Sequence, residues 1–229
     1  HVVEPIVSGV GVLDKSMAII SALRREPMQL QELVGATGFS RATAHRLAVA
    51  LESHGLVRRT VSGQFALGVD LIALGRSAGE QYPITEAAEG PMSRLRDATG
   101  ESVQLYVMDG ENRVCIAALE SPHGLRTIVA VGEMLPVDKG SAGRVLRGAS
   151  SADGHGDGQD GHLTKGDTWV ASAGEREPGV ASVSAPVHDL DDSTVIAAVS
   201  VSGPIDRMGM SPGDSHGAVV AKAAREIEV

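Results

Sequence analysis

The segment at residues 40–46 combines hydrogen-bonding and cationic side chains at helical spacing. It reads Ser40-Arg41-Ala42-Thr43-Ala44-His45-Arg46. Arginine can bind a guanine edge through two hydrogen bonds, and threonine can contact a phosphate or a thymine methyl group. Ser40 is suited to cap the helix, because its hydroxyl can accept a hydrogen bond from a first-turn amide. The chemistry that this pattern predicts is recognition of DNA, and the contact residues would be Ser40, Arg41, Thr43, His45 and Arg46.

A basic pair, Arg58 and Arg59, follows in the first of two short extended runs at residues 56–60 and 64–67. The Ser-Gly turn between the runs predicts a β-hairpin. Guanidinium groups on a hairpin suit contact with phosphates, which position a protein on DNA without reading its sequence. Helix, short helix, tight turn, helix and hairpin is the order of a winged helix-turn-helix.

Apolar spacing predicts the two helices that must support this segment. Leu13, Met17 and Ile20 indicate a helix over residues 11–25, which Pro27 ends. A short amphipathic helix follows, with its apolar side chains at Leu30, Leu33 and Val34.

The third helix has a regular apolar face and a clear end. Its predicted core side chains are Ala44, Leu47, Ala48 and Leu51. Gly55 stands where a left-handed residue commonly ends a helix. We therefore expect a winged helix-turn-helix over residues 8–68 and a linker helix over residues 69–83.

Charge is distributed unevenly along the chain. Residues 8–78 carry eight Lys or Arg and five Asp or Glu, although the whole chain has a formal net charge of −9. Residues 79–229 carry 12 basic and 23 acidic side chains. Because phosphates respond mainly to nearby charges, a mildly basic N-terminal part is compatible with DNA binding despite the acidic remainder.

Beyond residue 100 the apolar pattern changes to the period of β-strands. The strand-like runs are residues 102–108, 113–119, 125–131, 169–173, 180–187 and 194–201. Helical patterns occupy residues 84–99, 141–147 and 218–227. Mixed strands and helices predict an α+β domain over residues 84–229.

Polar side chains recur at every second position in three of these strands, which places them on one face of each strand. They are Ser102, Gln104 and Tyr106, then Ser182 and Ser184, and finally Ser200 and Ser202. A helix that begins at Gly140-Ser141-Ala142 would offer free amides to a carboxylate. We expect these residues to line a pocket for a small effector such as an amino acid or related carboxylate. The alternative is that the serines fill tight strand crossings or face water.

Few residues support other chemistry. Cys115 lies in an apolar run, which favours a buried side chain over a reactive thiol. No serine occupies a Gly-x-Ser-x-Gly turn before a helix, so we expect no catalytic residue and no cofactor. The segment 149–166 is rich in glycine and is expected to be a solvated loop, with a metal site as the alternative. Its candidate ligands are His155, Asp157, Asp160 and His162.

No apolar run approaches the roughly 18 residues of a membrane span, and no signal-peptide pattern opens the sequence. We therefore expect a cytoplasmic protein without a membrane partner. Two functional hypotheses stand at this point. The first is a DNA-binding regulator controlled by a small molecule. The second is a small-molecule sensor or enzyme in which the helical head serves dimerisation.

Two parts of the sequence resemble the IclR family of bacterial regulators. The first comprises residues 33–47, the helix-turn-helix segment, and residues 63–68 of the hairpin and linker. The second comprises residues 175–187 and 198–204. The segments Ser141-Ala142 and Ala181-Ser182-Val183-Ser184-Ala185 resemble the actinobacterial regulators of leucine and other amino-acid biosynthesis.

The resemblance implies a GAF-like effector domain and homodimers or dimers of dimers on palindromic operator DNA. A repressor is expected, with an activator as the alternative. Ser182 falls where the family commonly has a pocket-lining cysteine. Gln64 replaces the basic residue that is usual in the wing. Pro136 is followed by Val137-Asp138-Lys139-Gly140-Ser141 rather than by the family's Leu-His-Ala-Thr-like residues, which implies a different pocket floor.

Overall fold

The computed structural model describes residues 8–150 and 169–228. It divides into two compact units, the first ending at Gln81 and the second beginning at Tyr82. The elements of the first unit are α1 (Gly11–Ala22), α2 (Leu30–Thr37), α3 (Arg41–Ser53), β1 (Val57–Arg59), β2 (Phe65–Leu67) and α4 (Asp70–Glu80). The two strands pair antiparallel, and Met28 forms a bridge to Phe65. The predicted winged helix-turn-helix is confirmed.

The core of the first unit lies between the three helices and the hairpin. On α3 the four predicted core residues are buried, and three of them, Leu47, Ala48 and Leu51, belong to the same apolar cluster as Ile19, Leu23, Leu33 and Phe65. The predicted end of α1 was wrong, because the helix ends at Ala22 rather than at residue 25. Of its apolar side chains, Ile19 is buried and Ile20 packs against this core, whereas Leu13 and Met17 are about half exposed at 52% and 49%. Their spacing indicates a helix correctly, but a periodic pattern does not say which apolar stripe faces the core.

Gly55 ends α3 as predicted, with a φ of +68°. A side chain there would be strained by this left-handed backbone. A Cβ atom would also lie 2.3 Å from Oδ2 of Asp70, at the start of α4. Glycine is therefore needed both for the turn into β1 and for the approach of α4.

The second unit is built on one six-stranded antiparallel sheet with the order β5-β4-β3-β8-β7-β6. Its elements are α5 (Pro83–Thr99), β3 (Ser102–Asp109), β4 (Asn112–Leu119), β5 (Met134–Pro136), α6 (Ser141–Ser150), β6 (Val170–Ala173), β7 (Val180–His188), β8 (Val195–Pro204), α7 (Ile205–Met208) and α8 (Pro212–Ile227). The predicted α+β class is confirmed.

The strand predicted over residues 125–131 is absent, and β5 takes the place beside β4. Thr127 and Val129 are buried while Leu125 and Ile128 are exposed, so the segment has the burial pattern of a strand. Its backbone is not paired with a neighbouring strand. The carbonyl of Thr127 instead accepts a hydrogen bond from the hydroxyl of Ser102. Alternating burial therefore arose here without a strand ladder.

The sheet has one apolar and one partly polar face. Val103, Val183 and Val199 lie on the first face, in a core shared with α5 and α8. Because side chains alternate along a strand, the intervening residues point to the second face, which α6 covers. This alternation places the predicted polar residues of β3, β7 and β8 on one side of the sheet.

Candidate nucleic-acid interface and effector pocket

The start of α3 is organised by its capping residue. The hydroxyl of Ser40 accepts a hydrogen bond from the Thr43 amide at 3.3 Å, which confirms the predicted cap. The same hydroxyl lies 3.0 Å from Oγ1 of Thr43. A satisfied first turn fixes the position of Arg41, because that residue is the first of the helix.

The outward side of α3 carries exposed cationic and polar side chains. Arg41, His45 and Arg46 are exposed, whereas Ala44 and Leu47 on the opposite side are buried. Within the described part of the chain, no carboxylate forms an ion pair with Arg41 or Arg46. Their charges are available to an external partner.

The two arginines of the hairpin differ. Arg58 is exposed, and no described carboxylate pairs with it. Arg59 packs over the ring of Phe65, with 4.1 Å between its Cζ and the ring centroid, and its Nε lies 3.5 Å from a carboxylate oxygen of Glu52. Arg59 therefore fastens the hairpin to α3, while Arg58 is free to meet a phosphate.

An open groove of about 690 Å³ separates α3 from the hairpin. Arg41 and His45 line it from the helix, and Arg59 and Gly63 line it from the hairpin. Gln64 donates a hydrogen bond to the carbonyl of Pro27, so it is directed towards the protein backbone. The groove thus presents a basic wall on each side.

In the second unit, hydroxyl groups form a continuous hydrogen-bonded cluster under α6. Oγ of Ser141 lies 2.7 Å from both Ser182 Oγ and Ser184 Oγ. Ser184 donates to Ser200 at 2.9 Å, and Ser172 lies 3.0 Å from Ser182. These contacts tie the N-terminus of α6 to β6, β7 and β8.

A cavity of about 30 Å³ adjoins this cluster. Seven of the residues predicted for the pocket line it: Tyr106, Gly140, Ser141, Ala142, Ser182, Ser200 and Ser202. The other three predicted residues do not line it: Ser102 donates to the carbonyl of Thr127, Gln104 accepts from Ser202, and Ser184 is fully buried in the cluster. The volume accommodates only one or two water molecules, so a larger ligand requires α6 or the β6–β7 turn to move.

Four cavity residues were not predicted from the sequence: Arg113, Ser172, Arg176 and Val180. Arg113 is only 3% exposed, and its guanidinium lies 5.4 Å from the ring centroid of Tyr106. A signal was present, because Arg113 stands two residues before the buried Cys115 in one strand and so shares its face. An inward-facing arginine in an otherwise apolar strand indicates a special environment.

Glu175 occupies the amide that the sequence analysis assigned to a ligand carboxylate. Its Oε2 accepts a hydrogen bond from the Gly140 amide at 2.9 Å, and its Oε1 lies 2.9 Å from Arg144 Nη2. The amide of Gly140, just before α6, is therefore already bonded to an internal carboxylate from the β6–β7 turn. A bound ligand must find its partners elsewhere in the cavity or displace Glu175.

Burial governs ionisation around the cavity. It raises the pKa of Cys115 to about 12 and also raises the pKa of Tyr106, so both side chains are neutral at pH 7. Burial lowers the pKa of the Arg113 guanidinium. An arginine nevertheless stays charged at physiological pH.

The described residues were also compared with what a metal site and a membrane-spanning helix require. No group of three or more His, Cys, Asp or Glu side chains within residues 8–150 and 169–228 is arranged to hold a metal ion. The candidate ligands His155, Asp157, Asp160 and His162 lie outside these residues. No helix in the described ranges is long and apolar enough to cross a membrane.

Comparison with known families agrees with both units. The family described as "IclR helix-turn-helix domain" matches residues 12–60. The one described as "Bacterial transcriptional regulator IclR C-terminal" matches residues 77–154 and 163–229. The chain belongs to the IclR family. It is a DNA-binding transcriptional regulator with a C-terminal effector-binding domain, as the first of the two functional hypotheses predicted.

Individual relatives are distant. The chain is 30% identical over 133 residues to the HTH-type transcriptional regulator KipR of Bacillus subtilis, which covers 58% of this chain and 53% of KipR. It is 26% identical over 219 residues to the glycerol operon regulatory protein of Streptomyces griseus, covering 86% and 85% of the two chains. The crystal structure of an IclR homolog complexed with 4-hydroxybenzoate from Microbacterium hydrocarbonoxydans has a similar fold. Its TM-score is 0.77 at 19% identity, with 95% of this chain and 97% of that chain covered.

Proposed function

We propose that this regulator binds operator DNA with the outward side of α3 in the major groove and the hairpin along the adjoining backbone. The observation that carries the proposal is the set of exposed cations Arg41, Arg46 and Arg58, which no described carboxylate neutralises. A protein surface that holds unpaired cations next to an open groove is suited to a polyanion.

The proposed contact residues have different tasks. Arg41, His45 and Arg46 reach base edges or the phosphates that flank them, and Arg58 contacts a phosphate. Arg59 contributes charge but mainly holds the hairpin against α3 through Phe65 and Glu52. Ser40 and Thr43 keep the start of the helix in place and offer hydroxyls to the DNA backbone.

We propose that the second unit is a GAF-like domain and that its effector site is the cavity beneath α6. Its lining of hydroxyls and guanidinium groups suits a small carboxylate or an amino acid. The similar protein from Microbacterium hydrocarbonoxydans is described in complex with 4-hydroxybenzoate, which is also a carboxylate. Because the cavity is nearly closed, binding moves α6 or the β6–β7 turn, and this movement alters DNA affinity.

We further propose a repressor that acts in the bacterial cytoplasm on palindromic operators of amino-acid biosynthesis genes, those for leucine among them. The resemblance of the 181–185 segment to regulators of such genes supports this target.

A palindrome requires at least two copies of the chain. The apolar side chains left exposed on the first unit, Leu13 and Met17 on α1 and Ile72 and Leu74 on α4, support a homodimer or a dimer of dimers.

Gel-shift titration with the DNA that flanks the chain's own gene tests the DNA contacts. We expect Arg41→Ala and Arg46→Ala each to weaken binding about 10-fold or more, because a lost guanine contact costs roughly 1–3 kcal/mol. Arg94→Ala is the matched control, since Arg94 is an exposed arginine of the second unit that pairs with Glu226. Wild-type affinity in both head variants would refute the proposed contacts.

A further inference from the structure

Arg113 is a buried cation that has no ion-pair partner among residues 8–150 and 169–228. It is 3% exposed, and its Nη1 donates to the backbone carbonyls of Pro136 and Lys139, the latter at 2.8 Å. Its Nε is buried and has no hydrogen-bond partner in the described part of the chain. A buried charge is costly unless an opposite charge compensates it, and an unsatisfied buried donor adds to the cost.

A second guanidinium group lies in the wall of the same cavity. Arg176 lines the same cavity, and none of the described residues that line it is an aspartate or glutamate. Asp138 is exposed and lies beyond ion-pairing distance of the guanidinium, although its charge is felt there. Glu175 is engaged by the amide of Gly140 and by Arg144. The described lining of the cavity therefore includes two guanidinium groups, and the Glu175 carboxylate is already paired with Arg144.

Backbone anchoring alone does not account for Arg113. Both carbonyl oxygens are served by Nη1, which leaves Nε unused in a dry position. The guanidinium fork is suited to hold a carboxylate through two parallel hydrogen bonds. The adjoining hydroxyls of Ser141 and Ser182 are in place to orient the rest of a small ligand.

We propose that Arg113 determines the specificity of the effector site by pairing with the carboxylate of an anionic ligand. Arg176 adds to the attraction from the side of the β6–β7 turn. The inference rests on the proposed effector site. It goes further in excluding neutral ligands and in placing the ligand's charge at Arg113 rather than at the helix amide that Glu175 already occupies.

Thermal unfolding of the full chain with acetate and pyruvate tests this inference. The neutral amides acetamide and pyruvamide are controls of nearly equal shape, used at constant ionic strength. A ligand that binds only the folded state raises the unfolding temperature. We expect both carboxylates to stabilise the wild type and the amides to have no effect. In Arg113→Met the apparent Kd for the carboxylates should rise at least 10-fold, with Arg113→Lys intermediate and Arg94→Met unchanged.

The outcomes separate this inference from the rest of the proposed function. Equal stabilisation by amides and carboxylates would leave a ligand pocket in place but refute selection for charge. An unchanged carboxylate response in Arg113→Met would place the anion elsewhere, and no response of the wild type would refute the inference outright. If Arg113→Met does not fold, the comparison of acetate with acetamide in the wild type decides. Operator binding is measured separately, so its failure does not affect this result.

Discussion

The two functional surfaces treat their polar groups in opposite ways. On the outward side of α3, Arg41, His45 and Arg46 are exposed, and the two arginines lack a carboxylate partner in the described structure. Under α6, by contrast, Ser141 and Ser184 are buried, and their hydroxyls bond to one another. The first surface is open to solvent, whereas the polar groups of the second bond to one another.

This difference follows from what each surface must bind. DNA is a rigid polyanion that meets an open surface, so exposed unpaired cations cost little before binding. A small ligand must be enclosed, and a polar cavity that is empty of ligand has to satisfy its own groups. A change in the second unit should therefore alter stability and ligand response, while a change on α3 should alter DNA affinity with little effect on the fold.

The largest stability effect is expected from Gly143→Ala in α6. An added Cβ would lie 2.2 Å from the carbonyl oxygen of Val137 and 2.7 Å from Nη1 of Arg113, so the helix must shift. We expect the free energy of unfolding of the second unit to fall by about 1–3 kcal/mol. Urea denaturation followed by the fluorescence of Trp169, the single tryptophan of the chain, measures this unit.

Gly75→Ala is the control for that substitution, because a Cβ at Gly75 on α4 has no neighbour within 4 Å. We expect no loss of stability there. A Gly143→Ala protein as stable as the wild type would show that α6 is loosely placed, and the contrast between an open head and a closed pocket would weaken.

A smaller effect is expected from Ser40→Ala. The substitution removes the side-chain acceptor for the Thr43 amide and should destabilise the first unit by about 1 kcal/mol. Ser53→Ala, at the other end of α3, is the control, since its hydroxyl only donates to the carbonyl of Val49 within the helix. Far-UV circular dichroism during denaturation follows the helices of both units, and the fluorescence of Trp169 identifies the transition that belongs to the second unit. Loss of the Trp169 transition in Ser40→Ala, rather than of helical signal, would contradict the assignment.

We expect the thiol of Cys115 to be unreactive in the folded protein near neutral pH. Burial raises its pKa to about 12, so the thiolate at pH 8 amounts to roughly one part in 10,000. Iodoacetamide should leave the folded protein unmodified and alkylate it fully in urea, as mass spectrometry can measure. Because the unfolded chain releases this proton first, stability should fall as pH rises above about 9. Rapid alkylation at pH 8 without denaturant would contradict a closed second unit.

Local patterns were sufficient to predict the head. The cap at Ser40, the inward face of α3 and the turn at Gly55 depend on neighbours within a few residues, and all three were confirmed. The face of α1 could not be predicted, because both Leu13 and Ile19 fit a helical period and only packing against other elements selects the buried one.

The second unit was predictable in its alternation but not in its pairings. The polar face of β7 follows from the two-residue period at Ser182 and Ser184. The contacts of Arg113 with residues 136–139 and the capping of Gly140 by Glu175 join distant parts of the chain. No local pattern encodes such contacts, so the internal carboxylate and the buried guanidinium became visible only in three dimensions.

The central claim is that the unpaired cations of the head meet the charges of DNA. Its most direct test is the affinity for the flanking DNA, measured by fluorescence anisotropy over a range of NaCl concentrations. The wild type and the control Arg94→Ala should show the same steep loss of affinity with salt. The triple variant Arg41→Ala/Arg46→Ala/Arg58→Ala should bind weakly, with a slope shallower by roughly one for each lost phosphate contact. A triple variant with wild-type affinity and wild-type slope would contradict the account.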